Sequence, residues 1–467
     1  MSVTSPFIGV ILAAGQGLRM KSSLPKVLHP VCGLPMVEWV VRAMHEAGAK
    51  RIIVVVGNGA DKVRTALADY DLEFVEQSER LGTGHAVMMA APLIQDWEGQ
   101  VVVSAGDTPL LEGRTIYDLV ERLTEEGSAA ALTTGILDDP SGYGRIVRNK
   151  VTGEFEEIVE HKNCTPEQLL IKEWNPALYS FNSKLLLEAL PQLSRDNKQG
   201  EYLLTDVLGI LRKSGYWIAV ETTRNNDQFL GVNDRWQLAE ASSLKRIQIL
   251  RDWCEIGATI LDPGTTFIGA DVTLEPDCVI LPNTVIDGKT SIGTGSAIGP
   301  NSWIKDSVIG QNCRIFMSHL DQAVMEDDCR CGPFSNLRPG AHLLPEAKIG
   351  NFVEIKNSTL GSEVSVSHLT YIGDSQVGAR TNIGAGTITC NYDGFSKHRT
   401  LIGADSFIGS NSTLVAPLKI GDEVMIAAGS VVTKDVESGD LAVGRGRQEN
   451  KPEWYRRWKN QKVTADR

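Results

Sequence analysis

Short aliphatic runs set the rhythm of the first half of the chain. Val10-Ile11-Leu12, Ile52-Ile53-Val54-Val55-Val56 and Val101-Val102-Val103 are rich in β-branched residues and sit near glycines. Runs this short and this uniformly apolar suit strands buried on both faces of a parallel sheet. Between the first two, residues 36–47 are spaced as a helix, with Gly48 placed to cap its C-terminus. Repeated strand, helix, strand up to about residue 235 predicts an α/β, Rossmann-like unit with a mostly parallel sheet. Ligands of such sheets bind beyond the carboxyl ends of the strands.

From about residue 257 the period changes. Ile268, Leu274, Ile280, Ile286, Ile292, Ile298 and Ile304 recur every six residues, and Ile309 and Ile315 follow after one shortened step. A second train runs Ile349, Ile355, Leu360, Val366, Ile372, Val377, Ile383, and a third Ile402, Ile408, Leu414, Ile420, Ile426, Val432. Period six fits neither a helix nor a flat strand. It fits triangular coils of three six-residue sides, with the aliphatic residue inward and Gly or a small residue at the corner. The second half is therefore expected to be a parallel β-helix of hexapeptide repeats. Residues 316–348 interrupt the pattern, and the 19-residue interval from Ile383 to Ile402 predicts 13 residues looped out of the coil. That loop carries Asn391, Tyr392, Lys397, His398 and Arg399, which favours a functional arm. Residues 236–253 lack Gly and Pro and place Leu244, Ile247 and Leu250 at helical spacing, which predicts a connecting helix. The expected divisions are residues 1–235, a linker at 236–256, and 257–467.

Charge and composition narrow the partners. The 46 Lys and Arg against 58 Asp and Glu give −12, which argues against wholesale nucleic-acid binding. An anionic ligand would need a local basic pocket in an acidic body. No window of 18 apolar residues exists, and no Lys or Arg precedes the apolar start at Phe7. Neither a membrane span nor a secretory signal is expected. The eight Cys are scattered, and Cys329 and Cys331 have no second pair at zinc spacing. Reduced thiols in a cytoplasmic protein are expected. Residues 445–467 hold eight Lys and Arg against three Asp and Glu, as an ordinary solvated tail would.

Two constellations carry chemistry. After the first strand come Ala13-Ala14-Gly15-Gln16-Gly17-Leu18-Arg19-Met20 and then Leu24-Pro25-Lys26. Glycines let backbone N–H groups approach a phosphate, and Arg19 and Lys26 offset its charge. Downstream lie Gln77, the string Leu81-Gly82-Thr83-Gly84-His85-Ala86, and Ala105-Gly106-Asp107-Thr108-Pro109 at the end of the third run. Asp107 could hold Mg²⁺ against nucleotide phosphates. Alternatively, Asp107 or Thr108 caps a helix that has Pro109 at its first position. The ordered set resembles the signature of sugar-phosphate nucleotidyltransferases. That resemblance implies that Leu12, Ala13, Ala14, Gly15, Lys26, Ala105, Gly106 and Asp107 line a UTP site, and that Gln77, Gly82 and Thr83 read the uracil edge. It also implies that Gly144, Glu160 and Asn175 contact the sugar, that Asn233 is a second Mg²⁺ ligand beside Asp107, and that Arg19 and Lys26 are catalytic. Leu18, Ala105 and Pro176-Ala177 depart from the family pattern.

The second set is Asn336-Leu337-Arg338-Pro339-Gly340, Asn351-Phe352-Val353-Glu354-Ile355-Lys356, Ser367-His368-Leu369-Thr370-Tyr371, Thr381-Asn382-Ile383-Gly384-Ala385-Gly386 and Asn391-Tyr392-Asp393-Gly394. Together with the first set it resembles the bifunctional N-acetylglucosamine-1-phosphate uridyltransferase/glucosamine-1-phosphate acetyltransferases over nearly the whole chain. The resemblance implies a left-handed β-helix in which Arg338, Lys356, Tyr371 and Asn382 bind the sugar phosphate. His368 would be the general base that deprotonates the amine as it attacks acetyl-CoA. Ala385, Asn391, Tyr392, Ser410, Ala428 and Arg445 would line the coenzyme path, with Asn391 and Tyr392 also positioning the sugar. It further implies small-molecule substrates only, a homotrimer with the acetyl-transfer site shared between chains, and supply of a cell-wall precursor. Two competitors stay open. One is a monofunctional nucleotidyltransferase with a structural or regulatory solenoid, and the other is a non-catalytic scaffold.

Overall fold

The computed structural model describes residues 5–465. It forms two compact units, residues 1–249 and 250–467, whose boundary falls within the helix Arg235–Glu255. In the first unit, β1 (Phe7–Ala13), β2 (Arg51–Val56), β3 (Glu73–Glu76), β4 (Gln100–Ala105), β5 (Ala130–Ile136), β6 (Arg145–Arg148), β7 (Phe155–Val159), β8 (Glu173–Trp174), β9 (Tyr179–Asn182) and β10 (Ile218–Thr222) make one ten-stranded sheet. Its order is β3-β2-β1-β4-β9-β5-β8-β6-β7, with β10 added on β5.

The three predicted runs pair in parallel, Ile11 lying beside both Val54 and Ser104. Both faces of β1 are covered, which explains its unbroken apolar sequence. Phe7 and Ile11 join a cluster with Val40, Met44 and Leu119, while Ile8 and Val10 join Val87, Ala90 and Ile94. The sheet as a whole is mixed, not mostly parallel as the repeated pattern suggested. β9 runs antiparallel to β4 and β5, and β6, β7 and β8 pair antiparallel. Only β6 and β7 form a hairpin, joined by residues 149–154, too few for the crossover that parallel pairing needs.

In the second unit, strands mostly two or three residues long, with the longer Lys348–Lys356 and Ser365–Gly373, stack into coils whose three sides pair with the same side of the next coil. Ile260 lies on Ile280 and then Ile298; Ile268 on Ile286 and Ile304; Leu274 on Ile292 and Ile309. Ile260, in the first coil, is half-buried; from Ile268 onward these inward side chains are buried. Few aromatics are needed because each coil caps the next.

Three expectations for the solenoid are corrected. Residues 316–348 do not interrupt it: Leu320, Met325, Cys331, Leu337 and Leu343 take the inward positions and are buried. Met and Cys fill the column as well as Ile does, so the train looks broken only by residue name. The loop before Ile402 is shorter than 13 residues, because Thr389 takes an inward position above Leu414 and is buried. The excursion is residues 391–399. Glycine, finally, is not the general corner residue, although Gly288, Gly295, Gly340, Gly386 and Gly429 do take left-handed corners. Many corners are left-handed residues such as Asp277, Asn283, Asn301, Asp306 and Asn312, the polar types that tolerate this conformation. The glycine after an inward residue instead permits close coil contact. A Cβ on Gly293 would sit 2.6 Å from the Gly310 backbone, and one on Gly350 2.0 Å from the Ser367 carbonyl oxygen.

The connecting helix forms as expected, spanning Arg235–Glu255. The basic tail is exposed through residue 462 and carries a helix, Trp454–Ala465; Asp466 and Arg467 lie outside the described residues. None of the eight cysteines forms a disulfide. No described helix is long and apolar enough to cross a membrane.

Two candidate active sites

The carboxyl ends of β1 and β4 open into a cleft of about 470 Å³. Leu12, Ala14, Gly15, Lys26, Gln77, Gly82, Thr83, Ala105, Asp107, Gly144, Glu160 and Asn175 line it. Ala13 and Gly106 lie behind that wall. Ala13 is buried beside Val56, and the Gly106 N–H donates to the Leu12 carbonyl at 2.9 Å. Arg19 is exposed in a short turn, Leu18–Met20, that Met20 anchors in the interior, and it makes no ion pair with the described residues. Helix capping does not account for Asp107, because the next helix begins at Gly113 with Glu112 as its N-cap.

Three residues distant in sequence meet here. The Lys26 ammonium pairs with Asp107 and donates to Asn233 Oδ1 at 2.9 Å. Backbone pairing brings the last two together, the Val232 N–H donating to the Asp107 carbonyl at 3.0 Å. Asn233 Nδ2 is engaged by the Gly231 carbonyl at 3.1 Å, so Oδ1 is the atom turned to the ammonium. A carboxylate oxygen and an amide oxygen thus converge on one cation. That is the hard-oxygen donor set Mg²⁺ takes when phosphates and water fill the remaining positions.

At the other end of the cleft, burial raises the Glu160 pKa, and Asp206 and Glu201 add to the rise; Thr205 donates to it at 3.4 Å. Asn175 Nδ2 donates to the Tyr179 hydroxyl at 2.6 Å, and Asn175 Oδ1 accepts from the Ala177 N–H at 3.1 Å. Ala177 is left-handed, a conformation that glycine takes without strain. Tyr143 and Tyr179, which the motif reading did not assign, also line the cleft. Burial raises the pKa of the Tyr143 hydroxyl, with Asp107 adding to the rise.

In the solenoid the predicted residues fall at two corners of one side. Asn351 pairs with His368, and the registers Ile349–Val366–Ile383–Ile408–Ile426 carry Asn351, His368, Ala385, Ser410 and Ala428 up one corner in successive coils. His368 is exposed, and its Nδ1 lies 2.5 Å from Asn351 Oδ1. A carbonyl oxygen can only accept, so Nδ1 carries the proton and Nε2 is the free basic nitrogen. Arg445 reaches the same corner, donating to the Ala428 carbonyl at 2.8 Å.

The cations gather at the other corner. Lys356 pairs with Gly373, five residues beyond His368 on the same strand, which is roughly 15 Å of chain. The neighbouring Lys397 ammonium holds the Lys356 pKa below its ordinary value, and Arg338 adds to the repulsion. Arg338 pairs with Glu354 at 2.7 Å. Like charges packed together mark a place for an anion. Tyr371 and Asn391 belong to this end, with Asn391 Nδ2 3.5 Å from the Tyr371 hydroxyl and also bonded to Asp374. Tyr392 is exposed in the loop, its hydroxyl donating to the Gly394 carbonyl at 2.6 Å. Asn382 sits on the preceding side, its N–H donating to the Ser406 carbonyl at 2.9 Å. One chain therefore does not bring Asn391 and Tyr392 to the Ala385 column, nor Lys356 to His368. Asn351 and Lys397 had no assigned role in the sequence. Asn351 lies one coil before His368, a spacing the repeat itself contains.

These features define a nucleotidyltransferase unit joined to a hexapeptide-repeat transferase unit. Residues 9–210 match the family described as MobA-like NTP transferase domain, and residues 399–434 match bacterial transferase hexapeptide (six repeats). The chain is 47% identical to the bifunctional protein GlmU of Geobacillus thermodenitrificans over 453 residues, covering 97% of this chain and 98% of the relative. It is 45% identical to that of Clostridium acetobutylicum over 445 residues, covering 95% and 97%, and 44% identical to that of Halalkalibacterium halodurans over 451 residues, covering 97% and 99%. The chain belongs to this GlmU family of bifunctional enzymes, which combine acetyltransferase and uridyltransferase activities.

Proposed function

We propose that residues 1–235 carry uridylyl transfer and residues 257–467 acetyl transfer, with 236–256 as the link. Glucosamine-1-phosphate is first N-acetylated from acetyl-CoA. The product's phosphate oxygen then attacks the α-phosphorus of UTP, giving UDP-N-acetylglucosamine and pyrophosphate. The meeting of Lys26, Asp107 and Asn233 carries the first assignment. Mg²⁺, held by Asp107 and Asn233, would supply Lewis-acid charge to the nucleotide phosphates. Arg19 and Lys26 offset the repulsion between two anions, and Gly15 and its neighbours let the phosphates approach the backbone. Gln77, Gly82 and Thr83 hold the base, and Gly144, Glu160 and Asn175 hold the sugar. No protein nucleophile is needed, because the phosphate is already anionic.

At the solenoid, the Asn351–His368 pair carries the assignment: Nε2 of His368 takes the proton from the amine as its nitrogen bonds to the thioester carbonyl carbon, and the C–S bond breaks to release coenzyme A. Ala385, Ser410, Ala428 and Arg445 form a track for the coenzyme. Arg338, Lys356 and Lys397 take the sugar phosphate, with Tyr371, Asn382, Asn391 and Tyr392 around the ring. The span between the cationic corner and His368 favours a site completed by an adjacent chain in a cytoplasmic homotrimer.

A coupled assay from glucosamine-1-phosphate, acetyl-CoA and UTP, omitting each donor in turn, tests the whole reading. Asp107→Ala and chelation of Mg²⁺ should each stop only UTP consumption, whereas His368→Ala should stop thioester consumption and still consume UTP when N-acetylglucosamine-1-phosphate is supplied. Loss of both activities in a folded, assembled His368→Ala protein would refute the separation.

A further inference from the structure

Gln77 follows the end of β3 at the rim of the cleft and is 5% exposed. Its backbone N–H is bound by the Val56 carbonyl at 2.8 Å. Its side-chain Nε2 meets two acceptors, the Gly82 carbonyl at 3.0 Å and His85 Nδ1 at 3.1 Å. An amide nitrogen has two hydrogens, so both are engaged. Nδ1 can accept only when it carries no proton, which places the His85 hydrogen on Nε2. His85 is in turn held by the helix Thr83–Ile94 and stacks on Tyr202, ring centroids 6.3 Å apart.

Gln77 Oε1 makes no hydrogen bond to the described residues and is the only polar side-chain atom of Gln77 left for a ligand. An acceptor fixed at that point suits an imide N–H, as uracil offers at N3. It repels cytosine, which has a lone pair at N3. We infer that His85 is a positioning residue that locks the Gln77 amide with its oxygen toward the base, and so makes the enzyme choose uracil over cytosine. This inference rests on the nucleotide reading above. Without the His85 acceptor, only the Gly82 carbonyl opposes the flipped amide, whose NH₂ would accommodate cytosine.

The test is steady-state kinetics on the full chain with N-acetylglucosamine-1-phosphate, Mg²⁺ and either UTP, CTP or 5-methyl-UTP. His85→Phe keeps a ring against Tyr202 but offers no acceptor. The UTP-to-CTP ratio of kcat/KM should fall about tenfold, the effect of losing one orienting hydrogen bond. The UTP-to-5-methyl-UTP ratio should not move, since both bases present the same edge. His85→Asn, whose Oδ1 replaces Nδ1 as acceptor, should stay within about twofold of the parent, well inside that effect. His85→Leu makes the same comparison if the Phe variant does not fold. An unmoved UTP-to-CTP ratio in an active Phe or Leu variant, or an equal fall in the Asn variant, overturns the inference. Failure of the unaltered chain to use UTP would overturn the functional reading beneath it.

Discussion

A single side chain rarely acts without one that aims it, and His368 is such a case. Asn351 fixes which imidazole nitrogen is free. His368→Ala should lower acetyl-transfer kcat by about 10²–10⁴, the usual range for a general base. Asn351→Ala, which frees the ring to take the other tautomer, should cost about tenfold as a lost hydrogen bond; initial rates with a thiol-trapping reagent measure both. Glu160 gives a pH signature at the other site. Burial raises its pKa, so its carboxylate is lost at a higher pH than that of a free Glu. If it accepts a sugar hydroxyl, KM for the sugar phosphate in uridylyl transfer should rise as pH falls through that raised value. Glu160→Gln should flatten that limb, and KM measured across pH checks it. The linkage to folding has the opposite sense. A raised pKa favours the protonated folded state, so that stabilisation is present below the unfolded value and is lost as pH rises through the folded one.

Between the elements, the coil-to-coil approach is the exacting contact. The Gly350 backbone lies against Ser367, directly beside the Asn351–His368 pair. Gly350→Ala should destabilise the solenoid by about 1–3 kcal/mol, the ordinary range for overpacking. It should also depress acetyl transfer more than uridylyl transfer, as denaturant unfolding and paired assays would reveal. The sequence disclosed the period, because Ile, Leu and Val fill so many inward positions. It concealed the coils at Met325, Cys331 and Thr389, where a different residue fills the same volume. Likewise the parallel strands were legible from their apolar runs, while the antiparallel half was not, since its pairings join strands mostly not consecutive in sequence and hydrophobic pattern does not state strand direction. The first site was legible as a string up to Asp107. Its closure by Asn233 depends on a backbone bond between Val232 and Asp107 that no local pattern announces.

For the whole molecule, the separation of Lys356 from His368 makes a claim about assembly. If adjacent chains complete each site, His368→Ala and Lys356→Ala chains should each be inactive in acetyl transfer alone but regain part of that activity when co-expressed. Light scattering should find three chains per particle. Failure of the mixed trimers to recover any activity would place the complete site within one chain.

The corner that carries Asn351, His368, Ala385, Ser410 and Ala428 adds one residue per turn of the solenoid. Distance along it is therefore quantised at the interstrand spacing of about 4.8 Å. Duplicating one full turn between Ser410 and Ala428 would lengthen the track by that step while leaving every rung intact. Deleting a single residue there would rotate all later rungs out of line. If the proposed coenzyme track runs along this corner, the architecture would serve as a ruler for a long, thin donor, its graduations set by the repeat.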